Sequence, residues 1–595
     1  MRAAGELRPP GIYAARDEMR VEGLQVADTR TAAFVGLAQK GPLDEPMRLR
    51  SWTEFVDNYG TDLQGYLSRA VEGFFQNGGE TCYVVRVAHR AKDGERPGME
   101  HAVCAERVYL DGWDKPTLKV RARSEGRWGN NIWTHFTATT GAKALLTMDL
   151  DVGAGVAQAS TTRGFERGAL VKIFDRDGAD YVIITEIDEA NRQLHWSTDT
   201  PVRRRYRAAG PTYLEVFEFE LHAALRDQRE VHRGLQLSPM SRRYVERVVE
   251  AESHLVRVED LRTKSPPPHF LPIDRPAEKL VGGRDGADTL VADDLIGWDH
   301  GPADRRGLMS LVAVPDAAMI AVPDAVLWLK RTPGPAGEMA LQRVQDAMIN
   351  LCENEKDRFA ILDAPNTIDI EAVRRWRRRM DSSYAALYYP WIEIRNPAGD
   401  LVPVPPSGHI CGIASRLERE VGVHQAPANA IIKGAQDLTI KLTEDHMGIL
   451  DAEAINCLRM STGRGIRVWG ARTLASDPDW RYVNVRRLFI MLRRSLMDGT
   501  RWVVWEPNTP NTWDLLKLSV NGFLQTLWGK GMFAGGKPED SFFVQCDAET
   551  NPSDQRDLGQ MVINVGVAPA IPAEFIMVRV VQVMGNEPVA DSSVE

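Results

Sequence analysis

Cysteine is scarce in this sequence and is arranged in no pattern that holds a disulfide framework or a metal. The six cysteines in 595 residues are scattered, with no C-x-x-C pair and no histidine at ligand spacing. Such cysteines are typical of reduced thiols in a protein made in the cytoplasm. Cys82 lies in the apolar run CYVVRV, so we interpret it as a buried, unreactive thiol. We therefore predict neither a metal site nor a bound cofactor.

Long apolar runs are also missing. Nowhere do eighteen apolar residues follow one another, and the opening residues MRAAGELRPPGIYAARDEMR contain no apolar stretch of signal-peptide length. We therefore expect a chain without a signal peptide that does not insert into a membrane by itself.

An excess of positive charge is absent as well. Lys and Arg number 73 against 82 Asp and Glu, which leaves a net charge of -9. No overall basic field draws this chain to nucleic acid, so we expect no direct nucleic-acid partner.

The motifs of common enzyme classes do not occur. The sequence has no G-x-S-x-G nucleophile elbow, no G-x-x-x-x-G-K-[ST] loop and no G-x-G-x-x-G loop. Asp363 follows an apolar run, where α/β enzymes often place a carboxylate, but no nucleophile accompanies it. His409 and His424 have no matched carboxylate, and the acid in GGRDG at 282–286 would repel a phosphate. We predict no catalytic residues and no enzyme.

A glycine-rich stretch, STGRGIRVWGARTL at 461–474, is better explained as a strand with turns than as a phosphate loop. Ile466 to Trp469 alternate apolar and charged residues, which is the period of a half-buried strand. The flanking glycines then occupy turns or bulges.

The apolar patterns predict an α/β protein with several domains. Residues 1–30 read as an extended arm because RPPGIY cannot be helical. Residues 31–90 and 265–460 form a discontinuous α/β core, with a helix capped by Ser51 and Glu54. Between them, residues 100–240 contain many short alternating runs typical of an inserted, mostly β domain. The expected later strands are LMSLVAVP, RFAILDAP and YAALYYPWIEI, with a helix over about 337–355.

The C-terminal part, residues 461–572, contains two amphipathic helices. In the first, apolar residues form a stripe on one face, and the opposite face carries a cluster of four arginines, Arg486, Arg487, Arg493 and Arg494. Such a cluster is either a solvated face or a surface for an acidic partner. The second helix covers about 512–528. Residues 573–595 then form a C-terminal arm. We predict that its apolar run AEFIMVRVVQVM, at 573–584, is a strand that completes a sheet in another chain.

Eight stretches, in order between residues 9 and 580, closely resemble the contractile tail sheath family of phage tails and phage-tail-like injection systems. They are PGIYAARDE, TRTAAFVGLAQKGPLDEPMRLRSWTEFVDNYG, YLSRAVEGFFQNGGETCYVVRV, GRWGNNIW, LVGGRDGAD, GHICGIASRLEREVGVHQAPAN, INCLRMSTGRGIRVWGARTLASDPDWRYVNVRRLFIMLRRSL and WEPNTPNTWDLLKLSVNGFLQTLWGKG.

The resemblance implies a structural subunit that polymerises as stacked hexameric rings around an inner tube and contracts to drive that tube through a target envelope. It implies a non-catalytic core named subtilisin-like for its fold, with the β insertion outermost. Its partners would be further copies of the chain, the inner tube protein, and baseplate and terminal cap proteins. Assembly would occur in the bacterial cytoplasm, and the finished particle would act outside the cell, at the cell envelope or as a virion tail.

The resemblance also implies which residues meet other subunits. The terminal arms would add strands to a neighbour's sheet through Pro10, Gly11, Ile12, Tyr13, Phe575, Ile576, Met577, Val578 and Val580. The C-terminal domain would face the inner tube, with the helix that carries the four arginines or the 512–528 helix in contact with it.

Three alternatives remain at this point. A phage tail sheath and an injection-system sheath differ little in sequence, and the quoted stretches slightly favour the injection system. An α/β enzyme is a distant alternative because its motifs are missing. A tube or capsid subunit does not fit the paired terminal arms and the length.

Overall fold

The computed structural model describes residues 23–61, 65–90, 101–197, 201–272, 274, 276–461 and 463–572. Within these ranges the chain is mixed α/β with several sheets, as predicted. No helix of the described part is long and apolar enough to cross a bilayer. The predicted exchanging residues, 10–13 and 575–580, lie outside the described ranges.

The first elements form a strand, helix, strand unit. They are β1 (Ala32–Gly36), β2 (Met47–Leu49), α1 (Trp52–Tyr59), α2 (Leu67–Gln76) and β3 (Cys82–Arg86). The predicted cap of α1 is confirmed, because Ser51 Oγ accepts a 3.1 Å hydrogen bond from the N–H of Glu54. The Glu54 carboxylate accepts from the N–H of Arg50 at 2.7 Å, one residue earlier than a full capping box requires.

A β-rich segment follows. Its elements are β4 (Glu106–Leu110), β5 (Pro116–Ala122), β6 (Trp133–Leu145), β7 (Val156–Gln158), β8 (Leu170–Phe174), β9 (Ala179–Asp188), β10 (Gln193–Trp196), β11 (Tyr213–Leu225), β12 (Gln228–Leu235), α3 (Val245–Glu252), β13 (Val256–Asp260) and β14 (Glu278–Lys279), with a 3₁₀ turn at Arg127–Asn131. An eight-stranded sheet runs β14-β6-β11-β8-β9-β10-β7 with β12 beside β11, and a three-stranded sheet runs β13-β5-β4.

These sheets extend past residue 240, where the sequence placed the end of the insertion. Val245 and Val249 of α3 pack in the same core as β5, and β13 pairs antiparallel with β5.

The chain then returns to the first sheet. The elements are α4 (Ala292–Ile296), β15 (Met319–Ala321), α5 (Leu327–Arg331), α6 (Pro335–Glu355), β16 (Phe359–Asp363), α7 (Ile370–Arg377), β17 (Ala385–Tyr389), β18 (Ile392–Arg395), β19 (Leu401–Val404), α8 (Ser407–Glu420), β20 (Ala435–Leu438), α9 (Glu444–Ala452), β21 (Ile455–Ser461) and β22 (Gly465–Val468), with 3₁₀ turns at Gly307–Ala313 and Pro323–Val326.

The central sheet has eight strands in the order β2-β3-β1-β15-β16-β17-β21-β22. The strands from β3 to β21 pair in parallel, and β2 and β22 pair antiparallel at the two edges. Separate hydrophobic cores cover its two faces. This burial on both sides explains the nearly continuous apolar sequence of its strands.

Two of the predicted later strands need correction. LMSLVAVP is not a strand, because Gly307–Ala313 forms a 3₁₀ turn that buries Leu308 and Leu311, and β15 begins six residues later. YAALYYPWIEI forms two strands, since β17 ends before Pro390 and β18 belongs to a separate three-stranded sheet, β19-β18-β20. The strand in RFAILDAP and the helix at 337–355 are confirmed as β16 and α6.

The last described elements pack on a core of their own. They are α10 (Val483–Gly499), α11 (Pro510–Gly529), α12 (Pro538–Ser541), β23 (Phe542–Gln545), α13 (Ser553–Asp557) and β24 (Asn564–Val567), with 3₁₀ turns at Pro478–Trp480 and Arg501–Val503. Both predicted amphipathic helices are confirmed. The strand predicted at Ile466 to Trp469 is β22, which pairs with β21 at the edge of the central sheet, so this sheet continues past residue 461.

Candidate assembly interface

Helix α10 lies between two hydrophobic cores. Its residues Val483 and Ile490 pack in a core of the central sheet, whereas Leu488, Met491 and Leu492 pack in the C-terminal core. A helix with apolar neighbours on two sides has little free surface left for a solvated face. The helix therefore joins the C-terminal elements to the central sheet.

The four arginines of α10 do not form the single exposed cluster expected from the sequence. Arg486 is 8% exposed and Arg487 is 2% exposed. The Arg486 guanidinium lies 3.5 Å from the ring centre of Trp480 and 4.3 Å from that of Tyr384, and it donates to Ser383 Oγ at 2.6 Å. Stacking of this kind stabilises a buried guanidinium. Arg486 is thus a packing residue in this structure.

Arg487 and Arg494 contact the chain segment that precedes β1. Arg487 Nη2 donates to the carbonyl of Thr29 at 3.2 Å and to the Glu418 carboxylate at 2.5 Å. Arg494 is half-buried and donates to the carbonyl of Asp28 at 3.2 Å. These two side chains hold the segment at 28–29 against α10.

Arg493 is the exposed member of the four. Within the described ranges the structure gives its side chain no hydrogen bond or ion pair. Arg493 lies seven residues after Arg486, so helical periodicity predicts that the two share one face. The ring of Trp480 and the neighbouring elements cover Arg486 but not Arg493.

A two-stranded antiparallel sheet follows α11 and was not expected from the sequence. Phe542 of β23 pairs with Val567 of β24, and Gln545 pairs with Asn564. In the described part of the chain neither strand has a further strand beside it. FFVQ does not alternate apolar and polar residues, and NVGV contains a glycine, which strands disfavour, so neither stretch gives a clear strand signal.

A buried asparagine fixes the connection between these two strands. Asn551 is fully buried, accepts a 2.6 Å hydrogen bond from the N–H of Val562 and donates to the carbonyl of Val562 at 3.0 Å. An isolated pair of strands is marginally stable in water. Here the pair is held by Asn551 and by packing of Phe542 and Val544 on the C-terminal core.

Large apolar side chains are exposed on the same part of the chain. Trp505 is 98% exposed, Leu518 of α11 is 71% exposed and Phe543 of β23 is 59% exposed. Leu515 lies three residues before Leu518 and is also exposed, so the two share one face of α11. Contiguous exposed apolar groups mark surfaces that associate with other proteins, so the face of α11 shared by Leu515 and Leu518 is a candidate contact surface.

The remaining residues considered from sequence lie in the interior or form no site. Asp363 is 4% exposed and its carboxylate accepts from the N–H of Ser407 at 2.9 Å. His409 is buried, and burial lowers its pKa to about 4. Cys82 is buried, as predicted, and burial raises the pKa of its thiol. Among the described residues no group of His, Cys, Asp and Glu is arranged to hold a metal ion.

Two family models match adjoining stretches of the chain. Residues 333–474 match the phage tail sheath protein central domain, and residues 475–582 match the phage tail sheath C-terminal domain. The putative prophage major tail sheath protein of Pseudomonas aeruginosa is 27% identical over 248 residues, which is 40% of this chain and 61% of that one. The tail sheath protein of Enterobacteria phage T4 is 26% identical over 182 residues, 30% of this chain and 27% of that one.

Solved sheath structures share the fold. The contracted helical sheath of the anti-feeding prophage superposes with a TM-score of 0.51 at 19% identity, covering 97% of this chain and 100% of that one. The sheath tail protein of Listeria innocua superposes with a TM-score of 0.53 at 12% identity, covering 92% and 93%.

The matched relatives are structural proteins of contractile tails and not enzymes. The two domain models match residues 333–582, which confirms the resemblance found in the sequence. The matched stretches span 61% or less of the curated relatives named above.

Proposed function

We propose that this chain is the structural subunit of a contractile sheath that polymerises as stacked hexameric rings around an inner tube and contracts to drive the tube forward. The observation that carries the proposal is the continuous match of residues 333–582 to the central and C-terminal tail sheath domains. In such a particle the central sheet and the C-terminal elements form the wall, and the β-rich insertion lies outermost.

Neighbouring subunits are joined in this proposal by exchanged strands. The two-stranded sheet of β23 and β24 is the acceptor, because its strands have no other strand partner in the described chain. Extended segments add to open strand edges through main-chain hydrogen bonds, which tolerate different side chains. The donated segments lie within the two terminal arms predicted from sequence. One is the part of the N-terminal arm before residue 24, which includes Pro10 to Tyr13, since Leu24 and Ala27 contact α10 of their own subunit. The other is at 573–584, which includes Phe575 to Val580.

The tube-facing surface is narrower than the sequence indicated. Since Arg486, Arg487 and Arg494 are engaged within the subunit, we assign the contact to Arg493 and to the exposed face of α11 at Leu515 and Leu518. A positive charge and an apolar face fit a tube surface that has acidic and apolar groups.

Co-expression with the inner tube protein, followed by negative-stain electron microscopy, tests the proposal. The full chain is expected to form long tubes with a filled centre. Deletion of residues 573–595 is expected to leave single rings or free subunits, and Arg493→Glu is expected to give sheaths with empty centres. Arg176→Glu, on the exposed turn between β8 and β9, is the matched control.

Uniform small particles from the full chain, with the tube protein present, would contradict the proposal. Electron microscopy of whole particles recovered from the source cells distinguishes a phage tail from an injection particle. A phage tail ends in a head filled with DNA, whereas an injection particle has no head.

A further inference from the structure

The segment at 24–30 is bound along the length of α10. Leu24 packs against the C-terminal core at the position of Gly499, where an added Cβ would lie 2.4 Å from Leu24 Cγ. The N–H of Ala27 donates to Ser495 Oγ at 2.9 Å, and Ser495 Oγ donates in turn to the carbonyl of Met491 at 2.8 Å. The segment thus follows α10 from its last residue back towards its middle.

A buried ion pair fixes the end of this segment nearest β1. Glu418 of α8 accepts from both the N–H and the hydroxyl of Thr29, at 3.1 and 2.7 Å. The same carboxylate pairs with Arg487 at 2.5 Å, and Arg487 donates to the carbonyl of Thr29 at 3.2 Å. The side chains of Arg487 and Glu418 are 3% and 9% exposed, so solvent screens this pair weakly.

A second arginine binds the neighbouring residue of the segment. Arg494 donates to the carbonyl of Asp28 at 3.2 Å and to the carbonyl of Pro315, which precedes β15. Both arginines therefore bind main-chain oxygens of the segment and groups of the central domain at once.

We propose that Arg487, Glu418 and Arg494 form a tension anchor for the N-terminal arm. The inference rests on the proposed function, in which that arm is held by a neighbouring subunit. A force applied to the arm reaches residues 27–29 before it reaches β1. The anchor transmits that force to α8 and α10. The arm can then join subunits through a rearrangement without stripping β1 from the central sheet.

The partners of the segment's hydrogen bonds support this role. The main-chain groups of Ala27, Asp28 and Thr29 are each bound by a side chain from a helix, instead of by a strand that a pull would unzip. Several bonds between one segment and rigid helices must break together under load. Charge-assisted bonds such as those of Arg487 are the stronger kind.

Hydrogen exchange of the isolated subunit tests the anchor itself. The variant Arg487→Met/Glu418→Met removes both charges, so it leaves no buried unpaired charge. Amides in peptides covering residues 24–31 are expected to exchange about tenfold faster or more, since charged hydrogen bonds are lost. Peptides covering β23 and β24 should be unchanged. Arg501→Met, an exposed arginine just after α10, is the control. Unchanged exchange at 24–31 would overturn the anchor.

Assembled sheaths test the transmission of tension. Contraction is triggered with mild denaturant, and intact and broken sheaths are counted by electron microscopy. Sheaths of the double variant, and of Arg494→Met if the double variant does not fold, are expected to break into short pieces at least several times more often than wild-type sheaths. Equal breakage despite faster exchange would contradict the mechanical role. If the wild-type chain forms no sheath, the proposed function fails, while the exchange result still decides whether the anchor exists.

Discussion

Asp363 illustrates what burial does to a single carboxyl group in this fold. It lies at the end of β16, and burial raises its pKa from 3.8 to about 7, although the hydrogen bonds from Ser407 oppose the shift. A carboxyl group without a cationic partner inside a core is destabilising when it is charged.

The stability contributed by Asp363 depends on pH in a definite direction. Its pKa is higher in the folded chain than in the unfolded chain, so the folded chain retains a proton that the unfolded chain has lost between about pH 4 and pH 7. Stability from this group falls as pH rises through that window. Asp363→Asn is expected to raise Tm at pH 8 by about 2–4 °C and to give no gain at pH 4.

Asp111 provides a control of opposite sign. Burial alone would raise its pKa, but hydrogen bonds from Ser265, Thr263 and two backbone N–H groups lower it to about 2. Its contribution is therefore present above the unfolded pKa and is lost only as pH falls towards 2. Asp111→Asn should lower Tm at pH 8. Thermal scans of both variants across pH 4–8 check the pair, and a loss of stability in Asp363→Asn at pH 8 would contradict the assignment.

At the scale of whole elements, the close contact between α2 and α8 depends on two glycines of α8. A Cβ at Gly408 would lie 2.2 Å from the carbonyl oxygen of Ala70, and one at Gly412 would lie 2.4 Å from that of Phe74. Those atoms are backbone, so one helix would have to move. The spacing of four residues puts both glycines on the same face of α8.

Gly412→Ala is therefore expected to destabilise the chain by about 1–3 kcal/mol through overpacking. Gly448→Ala on α9 is the matched control, because no atom lies within 4 Å of its added Cβ. That control should be neutral or gain up to about 1 kcal/mol from helix propensity. Differential scanning fluorimetry measures both, and equal melting temperatures for the two variants would contradict this account of the helix contact.

Elements with a clear period could be predicted from the sequence, and elements defined by their neighbours could not. The cap at Ser51, the strand β22 and both C-terminal helices follow from local patterns. The run at 308–315 misled because Leu308 and Leu311 are buried by a 3₁₀ turn, which has no separate hydrophobic signature. For the arginines of α10, periodicity predicts that they share one face of the helix. It does not reveal that a second core and residues 28–29 cover most of that face.

The candidate site was predicted only in part, because its parts come from distant stretches of the chain. Arg487 and Glu418 are separated by 69 residues, and Arg487 and Thr29 by 458. Sequence spacing carries no information about such contacts. FFVQ in β23 does not alternate and NVGV in β24 contains a glycine, so neither strand has a clear signal, and Asn551 lies in a polar stretch typical of a turn.

At the scale of the whole molecule, the proposed function assigns the central sheet and the C-terminal elements to a wall and the two terminal segments to the joining of neighbouring subunits. The central sheet joins β1 and β3 to strands more than 230 residues later, so the N-terminal part cannot separate from the wall without breaking the sheet. Residues 27–29 are tied to α10, and residues 573–595 follow β24 in the sequence. This arrangement suits a polymer in which subunits move relative to one another and stay connected.

Inter-subunit disulfide formation between the C-terminal arm and β23 tests this account most directly. Met577→Cys and Phe543→Cys are made on separate chains with Cys104→Ser, because the other native cysteines are buried. The two chains are mixed, assembled and oxidised. A disulfide requires Cα atoms within about 7 Å, so strand addition predicts a covalent heterodimer, and doubly substituted chains should give a ladder of multimers. Met577→Cys mixed with Val231→Cys, on exposed β12, should give none. Assembled sheaths that yield no heterodimer at Phe543 or at neighbouring positions of β23 and β24 would contradict strand exchange at this sheet.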